Sequence, residues 1–311
     1  MQTMKNNIIS SILVPVDFSE ASLNALDTAI AIAKQQNASI MLLNVADTSF
    51  MFGFKGVHYI SEKTIDGIVD VSTRILNSLL TTLNEKHELT FTSDVKVGLV
   101  PQSITYTASE IDADLIIMGT HGVSGFREFF IGSTAQKVVK ISSCPVLTIP
   151  PNKKWLDFKK ILFPVRPIKG VMEKYDFLRK IIANTNASMD VLFLLPTYDE
   201  IEKKQLKNLV KDIKVMVIDD QIRVSGTLKI GEKMPQAVLK RSKLIDADLI
   251  VITAKIDADF KQFFIGPFEQ QIVNHATMPV LSIRPRLASP DSQVVIQQIH
   301  ESFPGPMSLY A

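Results

Sequence analysis

The chain reads as an α/β protein made of two tandem copies of one domain, each an open parallel sheet with helices on both faces. Three observations predict this. Short uninterrupted apolar runs alternate with longer stretches of helical periodicity, as expected of strands buried on both faces and joined by helical crossovers. The text also repeats. "ILVPVD" at Ile12 returns as "ILFPVR" at Ile161, and "NASIMLLNV" at Asn37 returns as "NASMDVLFL" at Asn186. "IDADLIIMG" at Ile111 returns as "IDADLIVIT" at Ile245, and "CPVLTI" at Cys144 as "MPVLSI" at Met278. Finally, 311 residues with 46% apolar content are enough for two cores.

The copies are offset by 149 residues in the first two matches and by 134 in the last two. The first copy therefore carries an insertion of about 15 residues, predicted within residues 47–60. The expected boundaries are 1–150 for the first domain, 151–286 for the second and 287–311 for a tail that belongs to neither.

In the first copy "ILVPV" is a buried strand. "SEASLNALDTAIAIAKQQNA" follows as a helix, with Leu23, Leu26, Ile30 and Ala33 at helical spacing. "SIMLLNV" is a second strand. Residues 61–87 form a long helix with Ile65, Ile68, Val71, Ile75 and Leu79 on one stripe. "FTSDVKVG" is a third strand, 102–111 a helix, "DLIIMG" a fourth strand, 133–141 a helix and "PVLTI" a fifth strand. The second copy runs in the same order, and residues 213–231 leave room there for an extra strand. "PPNKKW", residues 150–155, reads as a linker because prolines and lysines interrupt the pattern. In the tail, "QVVIQQIH" is a short strand or helix and "SFPGPM" is turn.

Composition excludes several functions. A net charge of +2, with basic residues spread along the chain, gives no footprint for nucleic acid or an acidic membrane surface. One cysteine, Cys144, allows neither an internal disulfide nor a cysteine metal cluster. Methionine at its counterpart favours packing over thiol chemistry there. The first apolar run meets Pro15 and Asp17 too soon for a leader peptide, and no run approaches the roughly 20 residues of a membrane span. The expectation is a soluble cytoplasmic protein with no nucleic-acid or membrane partner. His58, His87, His275 and His300 show no metal-ligand spacing.

The stretch with most chemical content is "GTHGVSGFREFFIGST", residues 119–134, where Gly119, Gly122, Gly132 and Ser133 follow the fourth strand as Gly-x2-Gly-x9-Gly-Ser. Ligands of open parallel sheets bind beyond the carboxyl ends of strands, where helix starts offer free amides and a positive dipole end. Glycine lets an anion approach the backbone. The spacing fits neither a Walker loop nor the dinucleotide fingerprint. Bland readings stand beside this one. Ser133 with Gln136, and Asp17 with Glu20, each fit a capping box. Gly119 alone is compatible with a turn, and His121 and Arg127 read as solvated. The aromatic segment "SFMFGFKGVHYI" fits a lid over the ligand or a packing surface on the partner domain.

With "VPVDFSE" on the first strand and "DLIIMGTHG…IGS" on the fourth, the chain resembles a tandem universal stress protein. The resemblance implies a Rossmann-like sheet of the adenine nucleotide alpha hydrolase type, strand order 3-2-1-4-5, with ATP or AMP in one domain. By position, Asp17 and Val45 would meet the adenosine, with Val45 backbone atoms reading the adenine edge. Gly119 and Gly122 would lie beside ribose and phosphates, while Gly132, Ser133 and Thr134 would hold phosphate oxygens. Pro15, Val16 and Met118 complete the cofactor-binding set. Mg²⁺ is compatible, without a dedicated protein site. The two fifth strands would lie edge to edge as an internal pseudo-dimer, with further homo-oligomerisation left open.

The second copy departs from the pattern. Arg166 stands at the place of Asp17, Thr253 at Gly119, Ile256 at Gly122 and Pro267 at Ser133, while Gly266 keeps the place of Gly132. These changes remove an amide and add bulk where phosphate would sit, so nucleotide is expected in the first domain only. Arg166 leaves room for an acidic ligand in the second. The expected function is nucleotide-dependent signalling or protection through an unidentified partner protein, not catalysis. An ATPase or nucleotidyl-transfer enzyme, or an interaction module that binds no nucleotide, are the alternatives.

Overall fold

A computed structural model of the chain describes residues 9–48, 62–120, 132–151, 154–166, 171–183, 185–195, 197, 200–220, 222–254 and 267–284. Gly122, His121, Arg127, Ile256, Gly266, most of the inserted aromatic segment and the tail lie outside these residues.

The first half contains β1 (Ser11–Pro15), α1 (Glu20–Gln36), β2 (Ser39–Asp47), α2 (Glu62–Lys86), β3 (Phe91–Gly98), α3 (Val100–Glu110), β4 (Leu115–Gly119), α4 (Ser133–Ile141) and β5 (Val146–Ile149). The second half contains β6 (Lys160–Val165), α5 (Val171–Ile181), β7 (Ser188–Leu195), α6 (Glu200–Asp219), β8 (Arg223–Ile230), α7 (Met234–Leu244), β9 (Leu249–Thr253), α8 (Pro267–His275) and β10 (Val280–Ile283). All ten strands join one sheet in the order β3-β2-β1-β4-β5-β10-β9-β6-β7-β8. Each half is parallel in the order 3-2-1-4-5, and the halves meet where β5 and β10 pair antiparallel, Leu147 opposite Leu281.

The repeated words have local causes. Asn37 and Asn186, which open the two "NAS" stretches, sit at φ 54° and 52°, and Asp112 and Asp246 of the two "IDAD" stretches at 48° and 52°. Asparagine and aspartate tolerate this left-handed region better than other side chains. The second aspartate of each "IDAD" pins the start of its half's first strand. Asp114 Oδ2 accepts from the amides of Ser10 and Ser11 at 2.8 and 3.1 Å. Asp248 Oδ2 accepts from those of Lys159 and Lys160 at 3.1 and 3.0 Å. "IDAD" is therefore structural in both copies.

Two expectations need correction. The α2 stripe faces the sheet only in part: Leu79 packs on the core, but Ile68, Val71 and Ile75 are exposed, while Ser72, Leu76 and Leu83 are buried. α2 lies over β2 and the edge strand β3, a narrow surface that covers one line of the helix. Residues 213–219 are the end of α6, and β8 is the single strand of the 213–231 stretch. The linker packs: its Trp155, and Phe158 just beyond it, are buried in the common core. Asn24 Nδ2 also donates to Pro150 O at 3.1 Å, and Lys154 pairs with Asp27 at 2.7 Å.

Other bonds fasten the seam. Gln136 Nε2 on α4 donates to Asn274 Oδ1 on α8 at 2.8 Å. Gln36 Nε2 donates to Lys180 O at 2.7 Å, and Arg284 donates to Lys140 O at the end of α4. The second half also buries Asp190 on β7 in a fork from Arg241 on α7, Nε to Oδ1 at 2.9 Å and Nη2 to Oδ2 at 2.6 Å, with Ser225 Oγ at 2.7 Å. Burial pushes the Asp190 carboxyl up, but the Arg241 and Ser225 bonds outweigh it and hold it below its ordinary value.

A candidate nucleotide cleft and its altered twin

In this strand order β1 lies between β2 and β4, so the crossovers leave it in both directions. Such a switch point opens a crevice at the carboxyl ends of the two central strands. The residues that follow β1 and β4 face each other there.

After β1, Val16 extends the ladder by donating its N–H to Leu43 O at 2.8 Å. The buried amide of Asn44 donates to Val16 O at 2.8 Å. These bonds hold Pro15, Val16 and Asp17 beside the end of β2, where Val45 is half-buried. The chain then turns sharply, with Phe18 at φ 63°, a strained value for an aromatic residue. Asp17 is exposed, and its Oδ1 accepts from Ser19 N at 3.1 Å and Ser19 Oγ at 2.5 Å. Asp17 is not the cap of α1, as the Asp17–Glu20 box would have it. The cap is Ser19, whose Oγ accepts from Ser22 N at 3.2 Å. Asp17 thus braces the cap with Oδ1; among the described residues no hydrogen bond engages Oδ2.

At the end of β4, Met118 is buried and Gly119 presses on the first turn of α1. A Cβ on Gly119 would lie 2.8 Å from the carbonyl carbon and oxygen of Ala21. The glycine is thus required by packing, whatever ligand lies above it. The next residue, Thr120, accepts at its carbonyl from Gly132 N at 2.6 Å. This bond pinches together the two ends of the loop that contains Gly122. α4 begins immediately afterwards. Its N-cap is Gly132, which supplies no side-chain bond, so Ser133 is the first helical residue and not the cap. Ser133 is exposed and Thr134 half-buried. Among the described residues the first-turn amides of α4 have no partners within the helix and none from a capping side chain, which is the condition under which a helix start attracts an anion. Two helix starts, those of α1 and α4, therefore abut consecutive residues, Gly119 and Thr120, at the carboxyl end of β4. The structure brings together Pro15, Val16, Asp17, Val45, Met118, Gly119, Gly132, Ser133 and Thr134; Gly122 lies outside the described residues.

The corresponding place in the second half has different contents. Arg166 follows β6 and pairs with Glu269 in the first turn of α8, its guanidinium carbon 3.9 Å from the centre of the Phe268 ring. Pro267 opens α8, so that helix lacks one first-turn amide. The internal acid that meets Arg166 was missed in sequence, although Glu269 falls on the counterpart of the buried Ala135. An ionisable residue at a core position of a duplicated unit is the signal that could have found it.

Among the described residues no group of three or more histidines, cysteines or acids could hold a metal ion. Nor is any helix among them long and apolar enough to cross a membrane. Cys144 is half-buried, and burial pushes its thiol up to about 11.

The universal stress protein family model matches residues 9–150. The chain is 29% identical over 150 residues to universal stress protein YxiE of Bacillus subtilis (strain 168), covering 46% of this chain and 99% of that one. It is 30% identical over 148 residues to a universal stress protein of Methanocaldococcus jannaschii, covering 48% of this chain and 86% of that one. A solved universal stress protein structure from Archaeoglobus fulgidus DSM 4304 superposes with a TM-score of 0.69 over 90% of this chain and 99% of its own, at 17% identity. That likeness extends the fold across both halves. With this fold, and with 86% of a 30%-identical relative covered, the chain belongs to the universal stress protein family.

Proposed function

We propose that the first domain, residues 1–150, binds one adenine nucleotide, ATP or AMP, and that the second domain, residues 151–286, does not. On this reading the protein acts in a stress response by binding and not by catalysis. The observation that carries it is the uncapped start of α4, held by the Gly132–Thr120 bond against the end of β4 at the sheet's switch point. Phosphates would lie on the amides of Ser133 and Thr134. Adenosine would lie toward Pro15, Val16, Asp17 and Val45, beside Met118 and Gly119, and Mg²⁺ would arrive with the phosphates. The stress role is supported by the names of the relatives. The nucleotide would act by population shift, ordering the surface around the cleft that a partner protein reads.

The test exploits the twin cleft. Ser133→Pro copies Pro267, and proline is well tolerated at a first helical position, so α4 should still form. Equilibrium dialysis with labelled ATP should give one nucleotide per chain, with affinity at least about tenfold weaker in Ser133→Pro, a loss of about 1.4 kcal/mol. Two nucleotides per chain, or undiminished binding by the variant, would overturn the reading. Rapid ATP turnover would favour an enzyme, and no uptake by the parent chain would favour an interaction module.

A further inference from the structure

A ligand site that had merely decayed would fill with apolar side chains. The twin cleft at the carboxyl ends of β6 and β9 has instead acquired ionisable side chains at three places: Arg166 where the first half has Asp17, Lys174 where it has Ala25, and Glu269 where it has Ala135. Lys174 and Glu269 are each only 1% exposed. Lys174 Nζ donates to Pro164 O and lies 3.8 Å from the centre of the Phe163 ring. Its burial, and then the charge of Arg166, push its pKa well below the ordinary lysine value.

Arg166, Lys174, Thr253 and Phe268 line a cavity of about 10 Å³, room for about one water. Thr253 is 4% exposed, and its Oγ1 has no hydrogen-bond partner among the described residues. A buried polar group left unpaired is destabilising, because it has lost its water without gaining a partner. A buried ion pair is commonly no more stabilising than an apolar pair of the same size. Stability therefore explains neither the orphan hydroxyl nor the Arg166–Glu269 ion pair, whereas an anion-binding role explains both. The Glu269 carboxylate already occupies the first turn of α8, where the helix dipole favours negative charge.

We propose that this cleft is a small-oxyanion site in which the Glu269 carboxylate is the resident anion. A phosphate group, either free or terminal on an organic phosphate, displaces it to lie between Arg166 and Thr253 Oγ1 at the start of α8. Exchange makes and breaks no covalent bond. Glu269 competes with the ligand for the same cation, so removing its charge strengthens binding.

The experiment titrates the full chain and its Glu269→Gln variant with orthophosphate and, separately, with glycerol 3-phosphate, followed by calorimetry. Glu269→Gln should bind at least one of the two at least about tenfold more tightly than the parent chain, a gain of about 1.4 kcal/mol. Adding Arg166→Met should abolish that gain. Phosphate held by the first half would survive Arg166→Met, which separates the two clefts and keeps this outcome distinct from failure of the nucleotide reading. A gain with orthophosphate identifies a site for the free ion, and one with the ester alone a site for an organic phosphate. Equal affinity of parent and Glu269→Gln, or a gain that persists without Arg166, overturns the proposal. If Glu269→Gln lacks native circular dichroism, Thr253→Val, nearly isosteric, replaces it. That variant should weaken phosphate binding by about fivefold, in line with one lost hydrogen bond, and unchanged affinity overturns the proposal equally.

Discussion

An alanine at position 119 would set its Cβ 2.8 Å from the backbone of Ala21, and backbone cannot give way as a flexible side chain can. Gly119→Ala should therefore destabilise the protein by about 1–3 kcal/mol, read by urea unfolding without nucleotide. A glycine kept only for a ligand would show no such loss. Lys174 permits a second test. Its folded pKa is depressed by burial and by Arg166, the guanidinium that pairs with Glu269. The unfolded chain therefore binds a proton that the folded chain refuses, and stability falls as pH drops below the unfolded lysine value of about 10.4. Lys174→Met removes this loss. Its stability relative to the parent should rise as pH falls from 10 toward 8, and a pH-independent difference would show that Lys174 keeps its proton in the fold. At this scale the sequence was legible where a residue type is rare for its place, as with Arg166 against Asp17. It was not legible where a neighbour in space decides. Nothing local reveals that Ala21 presses on Gly119, or that Ser19 and not Asp17 caps α1.

Among the elements, strands were the easier to read, since an uninterrupted apolar run buried on both faces leaves no choice of side. α2 shows the opposite case. Its sequence offers two apolar lines, and the sheet edge buries the one through Leu76 and Leu83 while leaving Ile68, Val71 and Ile75 in solvent. Adjacent residues should therefore differ sharply. Leu76→Ala should cost about 2–5 kcal/mol as a core truncation, whereas Ile75→Ala should stay near 0.5 kcal/mol as a surface change, compared by thermal unfolding. Helical periodicity reports that a face exists, but the width of the surface beneath decides which line is covered. The same limit applies to α4, whose span could be read from its sequence while the identity of its cap depended on how Gly132 bonds Thr120.

For the molecule as a whole, the seam is one antiparallel pairing of four-residue strands, β5 with β10, flanked by the packed linker. Removing everything after residue 150 would bare the β5 edge, and bare edges recruit strands. The fragment 1–150 should therefore self-associate, seen as a dimer by analytical ultracentrifugation where the full chain gives no dimer through this edge. The duplication was plain in the text because both copies need the same left-handed turns and the same strand-pinning aspartates. The buried linker was not, since prolines and lysines look alike in a tether and in a strap. The amide pair between Gln136 and Asn274 ties the helix that opens on the first cleft to the helix that bears Glu269. A guest that tilts the former must snap this handshake or drag the latter along, and dragging it tugs on the resident acid next door. If both clefts bind as proposed, this tie would let one mouth of the molecule sense the other, and by thermodynamic reciprocity the message would weigh the same in either direction.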